Sequence, residues 1–324
     1  MDYKNLDVIV LTYNRAKYLE IMLDSLCTQV ATGFNIKVLN NCSTDNTIEV
    51  IENIKKKYPE RNIQIITNEK NLGNPGNFKR SQEIATNEYT AIFHDDDAIH
   101  PEYIETAMQI FKDNPDMIMC SGNLYGMWNV SNNDWGILHK DYYKYKKNDG
   151  VYFNLLINRP TFASNIYKTQ AYKQIEYRPD LFGKLHDIIF MLEINRLGAV
   201  GFITGACIKW RQSQNNDSND LSTGPFPNEI ANIAQKIKEL NKEHRFIGQP
   251  LLWNFIFWLY RWSVLKRFLT WYEFEELLIK NGTFSKLEAF LFHKKFYIEF
   301  FNNLIRKRAE HYRKKVVRTY DSRF

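Results

Sequence analysis

The stretch that decides the fold runs Tyr89-Thr90-Ala91-Ile92-Phe93-His94-Asp95-Asp96-Asp97. A short apolar run that ends abruptly in charge is typical of a buried strand in a parallel sheet. In open α/β sheets, ligands bind just beyond the carboxyl ends of the strands, which is where these acids would lie. The stretch therefore predicts both a central strand and a polar site at its end.

The three consecutive acids are also candidate metal ligands. In an extended chain, Asp95 and Asp97 point to one side and Asp96 points to the other. Two carboxylates on one side suit a hard divalent ion such as Mg²⁺ or Mn²⁺. The alternative is a solvated acidic turn that caps the next helix. Because adjacent like charges repel unless a cation or hydrogen bonds compensate, the pattern favours a metal site.

The chain before this stretch alternates strands with helices. Apolar, β-branched runs predict strands at 7–12, 36–39 and 63–66. Apolar residues at helical spacing follow the first two, and a turn-rich loop and a helix to about Ala85 follow the third. This rhythm implies βαβ crossovers and a parallel sheet. The polar cluster after the second strand predicts a helix start, with Ser43 or Thr44 as the N-cap. The motifs G-x-G-x-x-G and G-x-x-x-x-G-K-[ST] do not follow the first strand, which argues against a dinucleotide-binding Rossmann site and a P-loop.

Composition is that of an ordinary globular protein. The 324 residues are 44% hydrophobic and 25% charged, with a formal net charge of +6. The four cysteines are scattered and form no C-x-x-C, so neither a zinc site nor a disulfide framework is indicated. No secretory signal is recognised, and no apolar run approaches the roughly 20 residues that span a bilayer. A cytoplasmic location is therefore expected.

Four motifs stand in order along the first third of the chain. They are Val8-Ile9-Val10-Leu11-Thr12-Tyr13-Asn14-Arg15, Val38-Leu39-Asn40-Asn41-Cys42-Ser43-Thr44-Asp45-Asn46-Thr47, Asn71-Leu72-Gly73 and Asp95-Asp96-Asp97. With these motifs, the chain resembles family 2 glycosyltransferases of the GT-A fold over roughly residues 5 to 220. Each motif alone is weak evidence, but four in the right order are specific.

The resemblance implies an α/β fold with a Rossmann-like, mixed and mostly parallel sheet flanked by helices. It implies a catalytic domain over residues 1–220, in which 1–97 bind the nucleotide sugar and 98–220 face the acceptor. Residues 221–324 would form a C-terminal helical, aromatic and basic region. Its Trp-rich helices and basic tail suit either a membrane interface or a helical bundle packed on the catalytic domain or a second copy. Nucleic-acid binding is not expected, because no nucleic-acid motif accompanies the basic tail.

The resemblance also implies a set of donor-binding residues. The nucleobase would lie near Thr12, Asn14, Asn40 and Asn71, and the diphosphate would bind a divalent metal on Asp95 and Asp97. Further donor contacts are expected from Arg15, Asp96 and Arg211. The family usually has an acid at position 40; Asn accepts a hydrogen bond through its carbonyl oxygen but also donates. A UDP-sugar is the expected donor.

Catalysis is expected to depend on Asp187. The family places its catalytic base at the start of a helix, and Leu185-His186-Asp187-Ile188 fits that position. The alternative is an ordinary acid in a helix first turn, where the helix dipole favours it. Relatives can ligate the metal with a His at the position of Ser213; here water and phosphate, or His186, would complete the shell.

The expected activity is transfer of a sugar, with inversion, from a nucleotide-diphosphate sugar to a glycan or lipid-linked acceptor in surface polysaccharide biosynthesis, such as a capsule or lipopolysaccharide. The enzyme would be cytoplasmic or peripheral on the inner face of the membrane. Aromatic residues of the middle segment either stack on the acceptor or form local core; they are Trp128, Trp135, Tyr142, Tyr143 and Tyr145. The alternatives are a sugar nucleotidyltransferase, which would carry a Gly-rich basic loop after the first strand, and an inactive nucleotide-sugar-binding partner. Oligomeric state stays open.

Overall fold

The computed structural model describes residues 2–149, 164–183 and 186–212. Beyond these it describes isolated positions at 229, 231–233, 235–236, 239, 276, 279–280 and 317–318. The predicted linker at 222–227 lies outside the described residues, as do nearly all of the predicted C-terminal helices. Among the described residues, no helix is both long and apolar enough to cross a membrane.

The first half of the chain forms parallel strands joined by helices, as predicted. The strands are β1 (Leu6–Thr12), β2 (Asn35–Asn40), β3 (Asn62–Thr67) and β4 (Tyr89–His94). The connecting helices are α1 (Ala16–Cys27), α2 (Thr47–Lys57) and α3 (Gly73–Ile84). β4 pairs with β1, β1 with β2 and β2 with β3, all in parallel. The predicted bounds of the first three strands agree with the structure to within one residue at either end.

The second half extends the same sheet with mixed directions. Its elements are β5 (Ala98–Ile99), α4 (Tyr103–Asp113), β6 (Met117–Met127), β7 (Tyr142–Tyr145), β8 (Asn165–Lys168), α5 (Thr169–Gln174), α6 (Pro179–Phe182), α7 (His186–Leu197), β9 (Ala199–Arg211) and β10 (Val317–Arg318). β8 lies antiparallel between β4 and β6, and β9 pairs in parallel with β6. β6 and β9 therefore run in the direction of β4. The carboxyl ends of β1, β2, β4 and β9 consequently meet at one edge of the sheet.

Two apolar layers cover the two faces of the sheet. Val8 and Val10 belong to one buried cluster, and Ile9, between them, belongs to the other. This alternation is the pleat of a strand buried on both faces. The first cluster includes residues of α1, α2 and α4, and the second includes residues of α3 and α7. The predicted α/β architecture, with helices on both faces of the sheet, is confirmed.

One helix cap differs from the prediction. α2 begins at Thr47, and the carboxylate of Asp45 accepts the backbone N–H of Thr47 and, at the start of α1, that of Ala16, both at 3.1 Å. A single anion thus serves the positive ends of two helices. The predicted caps Ser43 and Thr44 are therefore wrong. The Ser43 hydroxyl instead accepts the N–H of Asn14 at 2.9 Å.

A buried ion pair ties the amino ends of the parallel strands together. Asp7 is fully buried and accepts hydrogen bonds from Lys37 Nζ at 2.8 Å, Thr86 N at 2.8 Å and Asn87 N at 3.0 Å. Burial alone would raise the pKa of Asp7, but the hydrogen bond from Lys37 and those from Thr86 and Asn87 outweigh it and hold the pKa below its usual value. Asp7 therefore stabilises the fold as an anion.

We expect Asp7→Asn to destabilise the protein by about 3–5 kcal/mol, because it leaves the Lys37 ammonium buried without its counter-ion. Urea unfolding at pH 7 would measure the loss. A group whose folded pKa is depressed contributes stability above its unfolded pKa and loses it as pH falls through the folded pKa. The difference in the free energy of unfolding between Asp7→Asn and wild type should therefore shrink below about pH 4. Asp2→Asn is the matched control, since Asp2 pairs with Lys4 at the surface; equal losses in both variants would contradict the prediction.

Candidate active site

The polar groups predicted for the donor site meet at the carboxyl edge of the sheet. Thr12, Asn40 and His94 are the last residues of β1, β2 and β4, and Arg211 is the last residue of β9. Thr12 and Asn40 are both buried. The sequence predicted polar residues at the carboxyl ends of the strands, and the structure confirms this position for the first, second and fourth strands. Arg211 reaches the same edge through pairing that the sequence alone does not reveal.

The chain does not stay extended through the three acids. The alternation that would place Asp95 and Asp97 on one side and Asp96 on the other therefore does not apply. The chain turns at Asp95 and Asp96, directly after β4 ends. His94, Asp96 and Asp97 each bring a potential ligand atom within 4.8 Å of the other two. We name these three residues the strand-end trio. Asp95 and Asp97 as metal ligands stay a prediction, and the geometry adds His94 and Asp96 to the candidates.

Asp97 has the chemistry of a metal ligand. It is fully buried, and its Oδ1 accepts the backbone N–H of Arg211 at 3.0 Å. Its Oδ2 is buried without a hydrogen-bond partner among the described residues. A buried carboxylate oxygen left unpaired costs free energy unless a cation compensates it. The two carboxylates suit Mg²⁺ or Mn²⁺, and imidazole binds divalent ions softer than Mg²⁺, so the donor set fits a divalent ion.

Burial and mutual repulsion shape the charges of the acidic turn. Burial raises the pKa of Asp95 to about 7, with the Arg15 guanidinium opposing the shift and Asp96 adding to it. Burial also raises the pKa of Asp97 well above its usual value, and the neighbouring charge of Asp96 acts in the same direction. A bound cation would favour the ionised forms of both carboxyls. The site is therefore built to receive positive charge.

Two arginines hold the acidic turn. Arg15 Nη1 donates to Asp96 Oδ2 at 2.9 Å and to Asp95 Oδ1 at 3.3 Å. Arg211 Nε donates to the backbone carbonyl of Asp96 at 2.9 Å, and its guanidinium lies 4.4 Å from the centre of the Tyr18 ring. The aromatic ring positions the guanidinium by cation–π attraction. Both arginines predicted as donor contacts thus lie at the strand-end trio.

The expected nucleobase residues hold the loops around the site. Asn40 Oδ1 accepts the N–H of Ser43 at 3.0 Å, so one lone pair of the predicted base acceptor is engaged and one is left for a ligand. Asn14 has a left-handed backbone (φ 51°), and its Oδ1 accepts the N–H of Thr44 at 2.7 Å. Both side chains shape the base-facing loop, and their contacts to a base stay a prediction.

A buried amide network supports the Asn71 loop. Asn68 Nδ2 donates to the side-chain oxygens of Asn41 and Asn77, both at 2.9 Å. Asn41 Nδ2 donates in turn to Asn71 Oδ1 at 2.8 Å, and Asn41 Oδ1 accepts the N–H of Leu72 at 2.9 Å. Sequence reasoning missed the roles of Asn41, Asn68 and Asn77. The available signal was the density of Asn after β2 and β3, which hydrogen-bonds loops as readily as ligands.

The predicted base lies where the sequence placed it, in the first turn of α7. Asp187 follows His186, whose Nδ1 lies 2.6 Å from the carbonyl of Gly183. Burial lowers the pKa of His186, and the charge of Asp187 opposes this shift. Asp187 also lies near enough to Tyr167 of β8 to contribute, after burial, to raising the pKa of its hydroxyl. The role of Asp187 as base is a prediction that this position permits.

β8 brings the first turns of α7 towards the carboxyl edge of the sheet. Met191 lies one turn beyond Asp187, and its Sδ accepts a hydrogen bond from Asn165 Nδ2 at 3.8 Å. Asn165 is paired with Ile92, two residues before the end of β4. Residues four apart share a helix face, so Asp187 faces the same side as Met191. Ser213, the position of the expected metal-ligating His, lies outside the described residues.

The predicted acceptor aromatics divide into two groups. Tyr142 and Tyr145 are buried in the core, so the alternative of local packing applies to them. Trp135 packs edge-to-face on His100, with ring centres 5.2 Å apart, and Lys209 Nζ lies 4.2 Å from the centre of its ring. These three residues line a cavity of about 270 Å³. Trp128 is 64% exposed and Tyr143 is half-buried, so both are accessible to a ligand.

The family follows from comparison with known proteins. A model of the family described as Glycosyl transferase family 2 matches residues 7–175, just over half of the chain. The chain belongs to this family. The predictions of a family 2 member and of a glycosyltransferase are thereby confirmed.

Relatives of known sequence agree with this assignment. A protein of Haemophilus influenzae named as an uncharacterized glycosyltransferase is 26% identical over 246 residues, which cover 72% of each chain. The poly(ribitol-phosphate) beta-N-acetylglucosaminyltransferase TarS of Staphylococcus aureus is 35% identical over 31% of this chain and 18% of its own. The abequosyltransferase RfbV of Salmonella typhimurium is 34% identical over 34% of this chain and 33% of its own. The chain thus spans only a minor part of these two named enzymes.

Solved structures share the fold. S. aureus TarS 1-349 in complex with UDP-GlcNAc superposes with a TM-score of 0.64 at 19% identity, covering 97% of this chain and 92% of that one. The mannosyltransferase PcManGT of Pyrobaculum calidifontis, in complex with GDP-Man and Mn²⁺, gives a TM-score of 0.51 at 14% identity, covering 95% and 84%. At these identities the likeness establishes the fold alone. The predicted GT-A fold is confirmed.

Proposed function

We propose that this glycosyltransferase moves a sugar, with inversion, from a UDP-linked donor to a glycan or lipid-linked acceptor of a surface polysaccharide. The observation that carries the proposal is the fully buried Asp97, whose Oδ2 has no hydrogen-bond partner among the described residues, within the strand-end trio and beside two arginines. This arrangement provides cationic and metal-binding groups where a diphosphate leaving group needs them.

Each side chain has a defined task in this proposal. The strand-end trio would hold a divalent ion, which when bound offsets the charge that develops on the leaving diphosphate. Arg211 and Arg15 contribute positive charge, since guanidinium pairs well with phosphate oxygens. Asp187 accepts the proton of the acceptor hydroxyl as general base. Attack from the face opposite the diphosphate inverts the anomeric carbon.

Two observations support a uridine donor. S. aureus TarS, which shares the fold, is solved in complex with UDP-GlcNAc and with UDP. In this chain, Asn40 keeps one lone pair of its side-chain oxygen free of the Ser43 contact, and the base-facing loop around Asn14 is held by hydrogen bonds. A pre-formed loop binds a base without paying the entropy of ordering it.

A calorimetric panel tests the proposal. We expect UDP to bind in the presence of Mn²⁺ at least about tenfold more tightly than in its absence, because an ion held by the trio would attract the negative charge of the diphosphate. GDP, CDP and dTDP, measured with and without Mn²⁺, provide the comparison for the base.

Preference for another nucleotide would overturn the uridine assignment and leave the metal site standing. Binding that is indifferent to Mn²⁺ would overturn the metal site. Release of UDP from UDP-sugars then separates an enzyme from an inactive nucleotide-sugar-binding partner, which would bind the donor without turning it over.

A further inference from the structure

One guanidinium group neutralises a carboxylate that the metal needs. Arg15 Nη1 lies 2.9 Å from Asp96 Oδ2 and 3.3 Å from Asp95 Oδ1. Asp96 belongs to the strand-end trio, whereas Asp95 does not. An arginine charge at hydrogen-bond distance from Asp96 opposes the approach of a dication to the same carboxylate. Arg15 and a metal ion are thus competitors for Asp96.

The ion pairs of Arg15 with Asp95 and with Asp96 differ in how easily they can be broken. The Arg15 side chain is 41% exposed, that of Asp96 is 15% exposed and that of Asp95 is 5% exposed. Removing the counter-ion of the more deeply buried Asp95 would be the costlier change. Exchange of partners at the more exposed Asp96 costs less, because water can reach the groups there.

The backbone around Asp96 is held independently of Arg15. Arg211 Nε donates to the Asp96 carbonyl at 2.9 Å, and the Arg211 N–H donates to Asp97 Oδ1 at 3.0 Å. Release of the Asp96 side chain by Arg15 therefore leaves the turn and the other acid of the trio in place. The exchange moves the partly exposed Arg15 side chain and leaves these two contacts of Arg211 in place.

We infer that Arg15 is an internal counter-ion that makes metal binding depend on the nucleotide. This inference rests on the proposed function. Without nucleotide, Arg15 holds Asp96 and weakens the binding of a free divalent ion. When ion and diphosphate arrive together, Arg15 releases Asp96 as a ligand for the ion, keeps Asp95 and pairs with a phosphate oxygen. The diphosphate thus supplies the negative charge that the displaced guanidinium requires.

The test measures Mn²⁺ binding without any turnover. Electron paramagnetic resonance of free Mn²⁺ gives its affinity for the protein alone and in the presence of UDP. Arg15→Gln removes the charge but keeps hydrogen-bond donors near Asp95, and Arg15→Lys keeps the charge. We expect Arg15→Gln to bind Mn²⁺ alone about five- to tenfold more tightly than wild type, and Arg15→Lys to stay within about threefold.

The coupling between the two ligands provides a second readout. With Mn²⁺ saturating, Arg15→Gln should bind UDP about tenfold more weakly, since a charged phosphate contact is lost. The factor by which UDP tightens Mn²⁺ binding should therefore fall, and by linkage the factor by which Mn²⁺ tightens UDP binding should fall equally. Arg80→Gln is the control, because Arg80 pairs with Glu83 on the exposed surface of α3.

The outcomes separate the two proposals. If Arg15→Gln binds Mn²⁺ alone no more tightly than wild type while wild type still couples Mn²⁺ to UDP, the exchange is wrong and the proposed function stands. If wild type binds Mn²⁺ no better with UDP than without it, the metal site of the proposed function is wrong, and the exchange falls with it. If Arg80→Gln increases the affinity for Mn²⁺ as much as Arg15→Gln does, the effect comes from the net charge of the protein. The proposed exchange at Asp96 would then be wrong.

Discussion

Replacing Asp97 by alanine is expected to abolish Mn²⁺-dependent binding of UDP and to reduce the release of UDP from a UDP-sugar by roughly a thousandfold. Asp97 is the most deeply buried member of the strand-end trio, and its Oδ2 has no hydrogen-bond partner among the described residues. Its Oδ1 is fixed by the Arg211 N–H, so the free oxygen is held in one orientation. Loss of this carboxylate would remove a pre-oriented oxygen from the proposed metal site.

The substitution should not unfold the protein. Burial and the charge of Asp96 raise the pKa of Asp97, which means that the ionised carboxyl is unfavourable in the metal-free fold. We therefore expect the free energy of unfolding of Asp97→Ala and of the isosteric Asp97→Asn to lie within about 1 kcal/mol of the wild-type value or above it. Equilibrium unfolding without metal measures this independently of activity.

Asp116→Ala is the matched control for both readouts, because Asp116 forms an exposed ion pair with Lys144. It should leave UDP binding and turnover unchanged. Mn²⁺-dependent UDP binding that survives in a folded Asp97→Ala protein would contradict the assignment. The acidic turn would then be a structural feature stabilised by Arg15 and Arg211.

The strands and the edge that carries the site could be predicted from the sequence, because both depend on local pattern. The apolar run before Asp95 ends where β4 ends, at His94. The same pattern places Thr12 and Asn40 at neighbouring strand ends. Strands buried on both faces are mostly apolar, with exceptions such as the paired Asp7 and Lys37, so the end of β4 is visible where a run of charged residues begins.

The arrangement within the acidic turn could not be predicted, because it depends on where the chain bends. An extended chain would alternate the three acids, but the turn at Asp95 and Asp96 brings His94, Asp96 and Asp97 together instead. Spacing alone gives no reason to include His94, because it matches no metal motif. Its position as the last residue of β4 was the signal that could have included it.

Contacts between residues that are far apart in the sequence could not be predicted from local sequence patterns either. The caps of α1 and α2 come from Asp45, since one carboxylate reaches two helices that meet in space. Arg211 reaches Asp97 across 114 residues, through the pairing of β9 with β5 and β6. Resemblance to the family suggested Arg211 as a donor contact. Neither its role as clamp of the acidic turn nor its packing on Tyr18 follows from any motif.

Replacing Asp187 by asparagine is expected to reduce the release of UDP from a UDP-sugar by about 10²–10⁴-fold while leaving the affinity for UDP unchanged. Asparagine keeps the size of the side chain and one acceptor oxygen but cannot accept a proton from an attacking hydroxyl or water. Asp187 lies in the first turn of α7, on a different element from the strand-end trio. Binding and catalysis should therefore separate in this variant, as they do not in Asp97→Ala.

The control for Asp187 is Asp180→Asn, seven residues earlier, where an exposed carboxylate pairs with Arg178 at 2.7 Å. Both variants lose one acid near α7, so only a catalytic role makes them differ. Calorimetry with UDP and Mn²⁺ shows whether the donor site is intact, and the rate of UDP release shows whether a base is present. If folded Asp187→Asn retains turnover within about threefold of wild type, Asp187 only complements the helix dipole, which contributes about 0.3–1 kcal/mol to stability. The base would then have to be another residue.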